Sequence, residues 1–172
     1  IDEVLNEKSS IRDPENPERL EEHKGVVSFN HVSFRYPNAD ADVLSDIDFV
    51  AKPGETTAIV GSTGCGKSTL INLIPRLYDA TQGSVLVDGH DVKNITMEDL
   101  RSEIGYVPQK GVLFSGTIAS NLRYGKDDAT DAQIEEAASI AQATEFRDSK
   151  SAKYDSPIAQ GGTNVSGGQK QR

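Results

Sequence analysis

The residues from Gly61 to Thr69 restrict the fold of this chain more than any other stretch. They match the spacing G-x-x-x-x-G-K-[ST], in which glycines let backbone N–H groups turn inward around phosphate oxygens. Lys67 in this pattern supplies a positive charge for the β- and γ-phosphates, and Ser68 supplies a hydroxyl for Mg²⁺. The predicted phosphate-binding residues are Gly61, Ser62, Thr63, Gly64, Cys65, Gly66, Lys67, Ser68 and Thr69.

The sequence on both sides of this loop supports the interpretation. The run from Thr56 to Val60 is short, apolar and β-branched, which is typical of a buried parallel strand. Apolar residues recur at helical spacing between Leu70 and Leu77, and Pro75 is expected to weaken the last turn of that helix. A strand, a glycine loop and a helix in this order predict an α/β fold with a P-loop NTPase core.

Further strands are predicted around this core. Residues alternate between apolar and polar from Val27 to Phe34 and from Leu44 to Val50, which predicts two antiparallel strands. The run from Ser84 to Val87 predicts a third strand, closed by an Asp-Gly turn. Ile104 to Val107 is interpreted as another buried strand, which would present Gln109 near the ligand-binding edge of the sheet.

The second half of the chain has the signals of a helical lobe. Thr96 and Thr117 are suited to cap short helices. Thr130 and Gln133 form a capping-box sequence ahead of a helix with alanines on one face. The complete prediction is an α/β chain with an incomplete P-loop NTPase core, an antiparallel β subdomain and an α-helical subdomain.

Composition excludes several classes of protein. The net charge of −9 argues against nucleic acid as the main partner, because phosphate backbones are held by clustered Lys and Arg. A single cysteine excludes an internal disulfide framework and favours a reducing compartment. No run approaches the roughly 18 apolar residues needed to span a bilayer. Residues 1–24 are rich in charge and poor in apolar side chains, which predicts a linker.

The last residues carry a second motif. Val165–Arg172 resembles the signature sequence of ATP-binding-cassette (ABC) transporters, with Val at a position that is usually Leu. The family resemblance implies that Ser166, Gly167, Gly168 and Gln169 face the γ-phosphate of an ATP held by the phosphate loop of a second nucleotide-binding domain. The implied cofactors are ATP and Mg²⁺, and the implied partner is that second domain, as a homo- or heterodimer.

Two further residues match positions of functional importance in the family. Tyr36 occupies the place of an aromatic residue that stacks on adenine, although an aromatic at a strand end also serves as a packing residue. Gln109 matches a glutamine that contacts Mg²⁺ and the site of the attacking water, with a polar loop residue as the alternative. The resemblance thus implies Lys67 and Gln109 as catalytic residues, and Ser68 and Gln109 as metal ligands.

Other stretches resemble exporters within the family. Val112–Leu122 is similar to exporter sequences, and Ile1–Leu5 looks like the tail that follows a last membrane-spanning helix. On this resemblance, residues 1–24 are a linker from a transmembrane domain and residues 25–172 are a partial nucleotide-binding domain. The implied location is the cytoplasmic face of a membrane. Ser156–Gly162 occupies the place of a loop that contacts the transmembrane domain, but lacks its usual charge pattern.

Several alternatives remain open at the level of sequence. Family members carry an Asp-Glu strand end and a switch histidine after the signature, and residues 25–172 contain neither, so we expect negligible ATPase activity from these residues alone. A non-hydrolysing half-site of a heterodimeric exporter is one alternative, and the residue after that aspartate would discriminate it. A soluble ABC ATPase of DNA repair or translation is another. The three histidines lack metal-ligand spacing.

Overall fold

A computed structural model describes residues 9–20 and 23–172. The chain divides into two compact units, residues 1–105 and residues 106–172. The predicted linker residues Ile1–Leu5 lie outside the described part of the chain. The elements of the first unit are β1 (Val27–Phe34), β2 (Leu44–Ala51), α1 (Lys67–Leu73), β3 (Gln82–Val87), β4 (His90–Asp91) and α2 (Met97–Ser102).

The first unit is built on a four-stranded antiparallel sheet in the order β2-β1-β3-β4. Its core is formed by apolar side chains of β1 and β3, of which Phe29 and Val32 are almost completely buried. Phe29 also stacks on Phe49 of β2, with ring centroids 4.8 Å apart. The three strands predicted from alternating or apolar runs are therefore confirmed, as is the turn that joins β3 to β4.

Helix α1 follows the phosphate loop and packs into the same core through Leu70 and Leu73. It ends at Leu73, just ahead of Pro75, as the missing N–H of proline predicts. Beyond it, the Arg101 guanidinium donates to the carbonyls of Pro75 and Arg76. These contacts pair two carbonyls of the segment that follows α1, so this segment is attached to α2.

Two predicted strands are absent from the described residues. Thr56–Val60 and Ile104–Val107 have no ladder partner and no strand assignment, and Val60 and Val107 are 92% and 69% exposed. Both predictions of a buried strand were wrong for this chain. The physical reason is that a parallel strand forms only against a hydrogen-bonded neighbour, and an apolar β-branched run does not supply that neighbour by itself.

Residues 9–20, predicted as part of a linker, contact the rest of the first unit at several points. The Asp13 carboxylate accepts from the backbone N–H of Met97 at the start of α2. The Glu18 carboxylate accepts a hydrogen bond from the Asn94 side chain and is hydrogen-bonded to His90. The backbone of Glu18 forms an isolated parallel β-bridge with Ile95. The His90 contact lowers the pKa of Glu18 below its ordinary value. This part of the segment is thus attached to the sheet subdomain.

The second unit is mainly helical, as predicted from its capping residues. Thr117 and Thr130 each form a capping box at the N-terminus of a helix. Ile134 and Ala138 of the second of these helices are buried. The elements of this unit are β5 (Gly116–Thr117), α3 (Ile118–Arg123), α4 (Asp131–Ile140), α5 (Thr144–Asp148), a 3-10 turn (Lys153–Asp155), β6 (Pro157–Ile158), a second 3-10 turn (Gln160–Gly162) and α6 (Gly167–Gln171).

A charged network around Arg147 joins the helices of this unit. The Arg147 guanidinium donates to Glu135 of α4, to the neighbouring Asp148 and to the Tyr154 hydroxyl, which in turn donates to Glu135. The hydrogen bonds from Arg147 hold the pKa of Glu135 and of Asp148 below their ordinary values. Burial raises the pKa of Tyr154.

This network predicts an acid-sensitive contribution to stability. A carboxylate whose folded pKa is lowered stabilises the fold above its unfolded pKa and loses that effect as pH falls through the folded value. The ordinary values are 4.5 for Glu135 and 3.8 for Asp148, so the loss should occur below about pH 4.5. Arg147→Gln should lower the unfolding temperature at pH 7 by several degrees and flatten its decline on acidification.

Thermal unfolding followed by circular dichroism at pH 7 and at lower pH provides the measurement. Lys126→Gln is the matched control, because it removes one exposed positive charge from the same unit and leaves the network intact. Equal unfolding temperatures for the two variants at pH 7 would contradict a stabilising role for Arg147.

Candidate nucleotide-binding site

The predicted phosphate loop connects residues 55–60 to helix α1. Gly64 and Gly66 take positive φ angles of 85° and 91°, in the left-handed region that favours glycine. Gly61 does not take a positive φ, so its backbone conformation does not by itself require glycine. A Cβ added there would lie 2.5 Å from the Cys65 sulfur, so a larger residue would require the Cys65 side chain to move.

The Lys67 ammonium folds back over the loop. Its Nζ donates to the carbonyl oxygens of Gly61 and Ser62 at 2.9 and 2.7 Å. Ser68 is exposed, and its hydroxyl makes no hydrogen bond to any described residue. A positive charge and an unused hydroxyl therefore follow a loop in which three of the six positions, 61–66, are glycines. This arrangement fits a phosphorylated ligand with a magnesium ion.

Tyr36 lies just beyond the end of β1 and is half-buried. Its hydroxyl is hydrogen-bonded to the Thr69 hydroxyl at 2.9 Å, which joins the aromatic ring to helix α1. The ring also packs at steep angles against Phe34 and Tyr78, with centroids 4.9 and 5.4 Å away. Tyr36 therefore has a packing role in the described structure.

The hairpin that carries Tyr36 also touches the phosphate loop. A Cβ added to Gly66 would lie 2.9 Å from Leu44 Cδ2 and 3.1 Å from the carbonyl of Val43. The hairpin itself is closed by a hydrogen bond from Val43 N–H to the Phe34 carbonyl. The close approach at Gly66 places the candidate base-contacting residue and the candidate phosphate-binding residues in one packed structure.

The predicted signature residues form the start of α6 in the second unit. The Ser166 hydroxyl accepts from the Gln169 N–H, and the Gln169 side chain accepts from the Ser166 N–H. This capping box satisfies donors at the first turn of the helix. Lys170 in the same helix donates to the Gly161 carbonyl, which attaches α6 to the preceding turn.

Gln109 belongs to the second unit and the phosphate loop to the first. Gln109 is exposed, in a stretch without regular structure. The structure thus brings together the candidate site residues within each unit: Tyr36 with the phosphate loop in the first, and Ser166 with Gln169 in the second. Gln109 has no described partner, and its predicted ligand contacts stay a prediction.

Comparison with known proteins decides the family. The model of the ABC transporter family matches residues 44–172, which include both the phosphate loop and the signature residues. The chain belongs to the ABC transporter family. The matched range corresponds to the ATP-binding domain of these transporters, so the predicted P-loop NTPase fold and the resemblance to the family are confirmed.

The relatives of this chain include ABC transporter ATP-binding proteins and a protein named for multidrug export. An uncharacterized ABC transporter ATP-binding protein of Mycobacterium tuberculosis is 49% identical over the whole chain, which covers 30% of that protein. A Staphylococcus aureus protein named for multidrug export, ATP binding and permease function is 42% identical, with 99% of this chain and 29% of the relative covered. The chain thus spans about 30% of the length of these relatives.

A solved structure supports the same family assignment. The ATP-bound structure of a bacterial Atm1-family ABC exporter matches 98% of this chain with a TM-score of 0.92 and 35% sequence identity. The match covers 29% of the exporter chain. Within residues 9–20 and 23–172 of the chain itself, no helix is both long enough and apolar enough to cross a membrane.

Sequence reasoning missed two features of the site. The bond between Tyr36 and Thr69 joins residues 33 positions apart, and no local pattern marks it. The packing of Val43 and Leu44 on Gly66 is equally invisible, because it depends on how the hairpin lies over the loop. The three histidines, which lack metal-ligand spacing in the sequence, are each paired with a carboxylate: His23 with Glu103, His31 with Asp46 and His90 with Glu18.

Proposed function

We propose that this chain binds Mg·ATP as part of the ATPase of a membrane exporter. The observation that carries the proposal is the geometry of the phosphate loop, in which Lys67 Nζ lies across the carbonyls of Gly61 and Ser62 and two glycines take positive φ angles. The family match and the exporter-type relatives support the identity of the ligand. The resulting role is ATP binding through Gly61–Thr69 and Tyr36.

Individual residues would contribute in different ways. Lys67 would neutralise charge on the β- and γ-phosphates, and Tyr36 would contact the adenine. Ser68 and Gln109 would hold Mg²⁺, which would neutralise charge that develops during phosphoryl transfer. Gln109 would also orient the attacking water. In this proposal, the complete gene product hydrolyses the bound ATP.

The proposed assembly is a head-to-tail dimer of two such domains. Ser166, Gly167, Gly168 and Gln169 of one copy would face the γ-phosphate bound by the other. The capping box of Ser166 and Gln169 supports this, because it fixes the first turn of α6 before any ligand binds. Binding of ATP between the copies would close the dimer, and hydrolysis would reopen it. The dimer would lie at the cytoplasmic face of the membrane, and its closing and opening would move the attached transmembrane domains.

The alternative proposal is a half-site of a heterodimeric exporter that binds ATP without hydrolysing it. Both proposals share ATP binding, so they differ only in turnover by the complete gene product. A soluble ABC ATPase is disfavoured, because the relatives include a protein named for permease function.

Alkylation of Cys65 tests the proposed ligand site. This residue is the only cysteine of the chain, is exposed, and lies in the phosphate loop with its sulfur 3.7 Å from Lys67 Nζ. We expect a maleimide at Cys65 to abolish Mg·ATP binding, because the adduct would fill the loop. Mg·ATP should in turn slow the labelling at least about tenfold, as a ligand present at ten times its Kd occupies most sites.

Labelling rates are measured by mass spectrometry, with ATP affinity determined by calorimetry. Cys65→Ser serves as the control, and its ATP binding should resist the reagent. Equal labelling rates with and without Mg·ATP would refute the proposed site.

A further inference from the structure

We propose that Thr69 is a positioning residue for Tyr36, and that its hydroxyl raises ATP affinity by fixing the orientation of the aromatic ring. The inference rests on the proposed ATP binding of this loop. It adds a role that the loop motif does not assign, because it concerns the base end of the nucleotide. The link is the hydrogen bond of 2.9 Å between Tyr36 Oη and Thr69 Oγ1.

The backbone leaves the Tyr36 ring free to reorient. Strand β1 ends at Phe34, so Tyr36 has no place in the sheet ladder. Its carbonyl accepts from Ala39 N–H at 3.1 Å, which shapes the turn but does not fix the side-chain torsions. An aromatic side chain at such a position has two rotatable bonds, and a restraint at its far end removes most of that freedom.

Thr69 is well suited to provide this restraint. The residue is 6% exposed and lies in α1, which is packed into the core through Leu70 and Leu73. A hydroxyl in this position needs a partner, because burial of an unpaired polar group is costly. The Tyr36 hydroxyl is the partner in the described structure, so the ring is tied to a rigid element.

Two aromatic neighbours restrict the orientation of the Tyr36 ring further. Phe34 and Tyr78 lie nearly perpendicular to the Tyr36 ring, at interplanar angles of 84° and 87°. These contacts restrict the tilt of the ring, and the hydrogen bond to Thr69 fixes its far end. The ring is thereby held in one orientation before ATP arrives, and a pre-oriented binding group costs less entropy on association.

The test compares two ligands, Mg·ATP and Mg-tripolyphosphate, on the complete gene product by calorimetry. Tripolyphosphate has the three phosphates but no base, so it cannot contact Tyr36. We expect Thr69→Val to weaken Mg·ATP about five- to tenfold, the effect of losing one hydrogen bond. The affinity for tripolyphosphate should stay within about twofold of the unchanged protein, because Thr69→Val keeps the backbone N–H through which this residue of the loop motif would contact phosphate.

Two further variants isolate the hydrogen bond. Tyr36→Phe keeps the ring but removes the hydroxyl, and it should reproduce the effect of Thr69→Val without adding to it in the double variant. Thr69→Ser keeps a hydroxyl and should restore ATP affinity. Thr56→Val is the matched control, because this exposed threonine lies outside the site and its change should alter neither affinity. Tyr36→Phe also serves if Thr69→Val fails to fold.

Three outcomes would overturn the inference. An equal loss of ATP and tripolyphosphate affinity in Thr69→Val would mean that the hydroxyl acts on phosphate directly. Unchanged ATP affinity in both Thr69→Val and Tyr36→Phe would mean that the bond has no role in binding. Absence of binding of either ligand to the unchanged protein would refute the proposed function itself, and with it this inference.

Discussion

Replacing Lys67 by alanine should lower the affinity for Mg·ATP by about two orders of magnitude. Hydrogen bonds from a charged donor to phosphate contribute about 1.5–3 kcal/mol each, and a loss of about 3 kcal/mol corresponds to roughly 100-fold in Kd. The variant should still fold, because the Gly61 and Ser62 carbonyls that Lys67 contacts belong to exposed residues that water can serve instead. Calorimetry with Mg·ATP provides the measurement.

Lys52→Ala is the matched control for this experiment. Lys52 is an exposed lysine in the same unit, in the turn that follows β2, and its loss removes the same charge. Its ATP affinity should stay close to that of the unchanged protein. A Lys67→Ala protein that retains its fold and binds Mg·ATP normally would remove the basis for assigning the loop to ATP.

Local signals in the sequence predicted much of the fold correctly. Thr96, Thr117 and Thr130 each cap a helix as expected, because a cap depends only on the residue and the three that follow it. Ser166 and Gln169 form a further capping box at α6, which was not predicted from the sequence. The alternating strands β1 and β2 also formed where their pattern indicated, because their pairing partners are close in sequence.

Features that depend on distant residues were not predictable. Thr56–Val60 has the composition of a strand, but a strand exists only through its neighbours, and the described residues supply none. The Arg147 network joins Glu135 to Tyr154 across 19 positions, and no motif marks it. The bond from Tyr36 to Thr69 belongs to the same class. The sequence predicted which residues belong to the candidate site, and the structure added the hydrogen bonds and packing contacts between them.

Mixing two inactive variants should restore ATP sites if the dimer is head to tail. Lys67→Ala removes the phosphate-binding charge, and Ser166→Arg removes the capping hydroxyl of α6 while placing a bulky side chain at the proposed γ-phosphate contact. Each homodimer then has two defective sites. A mixed dimer joins the intact loop of one copy to the intact signature of the other, which leaves one complete site.

The expected recovery follows from this symmetry. Random pairing at equal concentrations gives about half mixed dimers with one intact site of two, so about one quarter of the normal number of occluded nucleotides should return. Labelled ATP retained after rapid gel filtration of the complete gene products measures this number. Ser139→Arg, at an exposed serine of α4, is the control and should occlude ATP without a partner variant. If each site were built from the loop and signature of one copy, mixed dimers would have no intact site, and the mixture would occlude no more ATP than either variant alone.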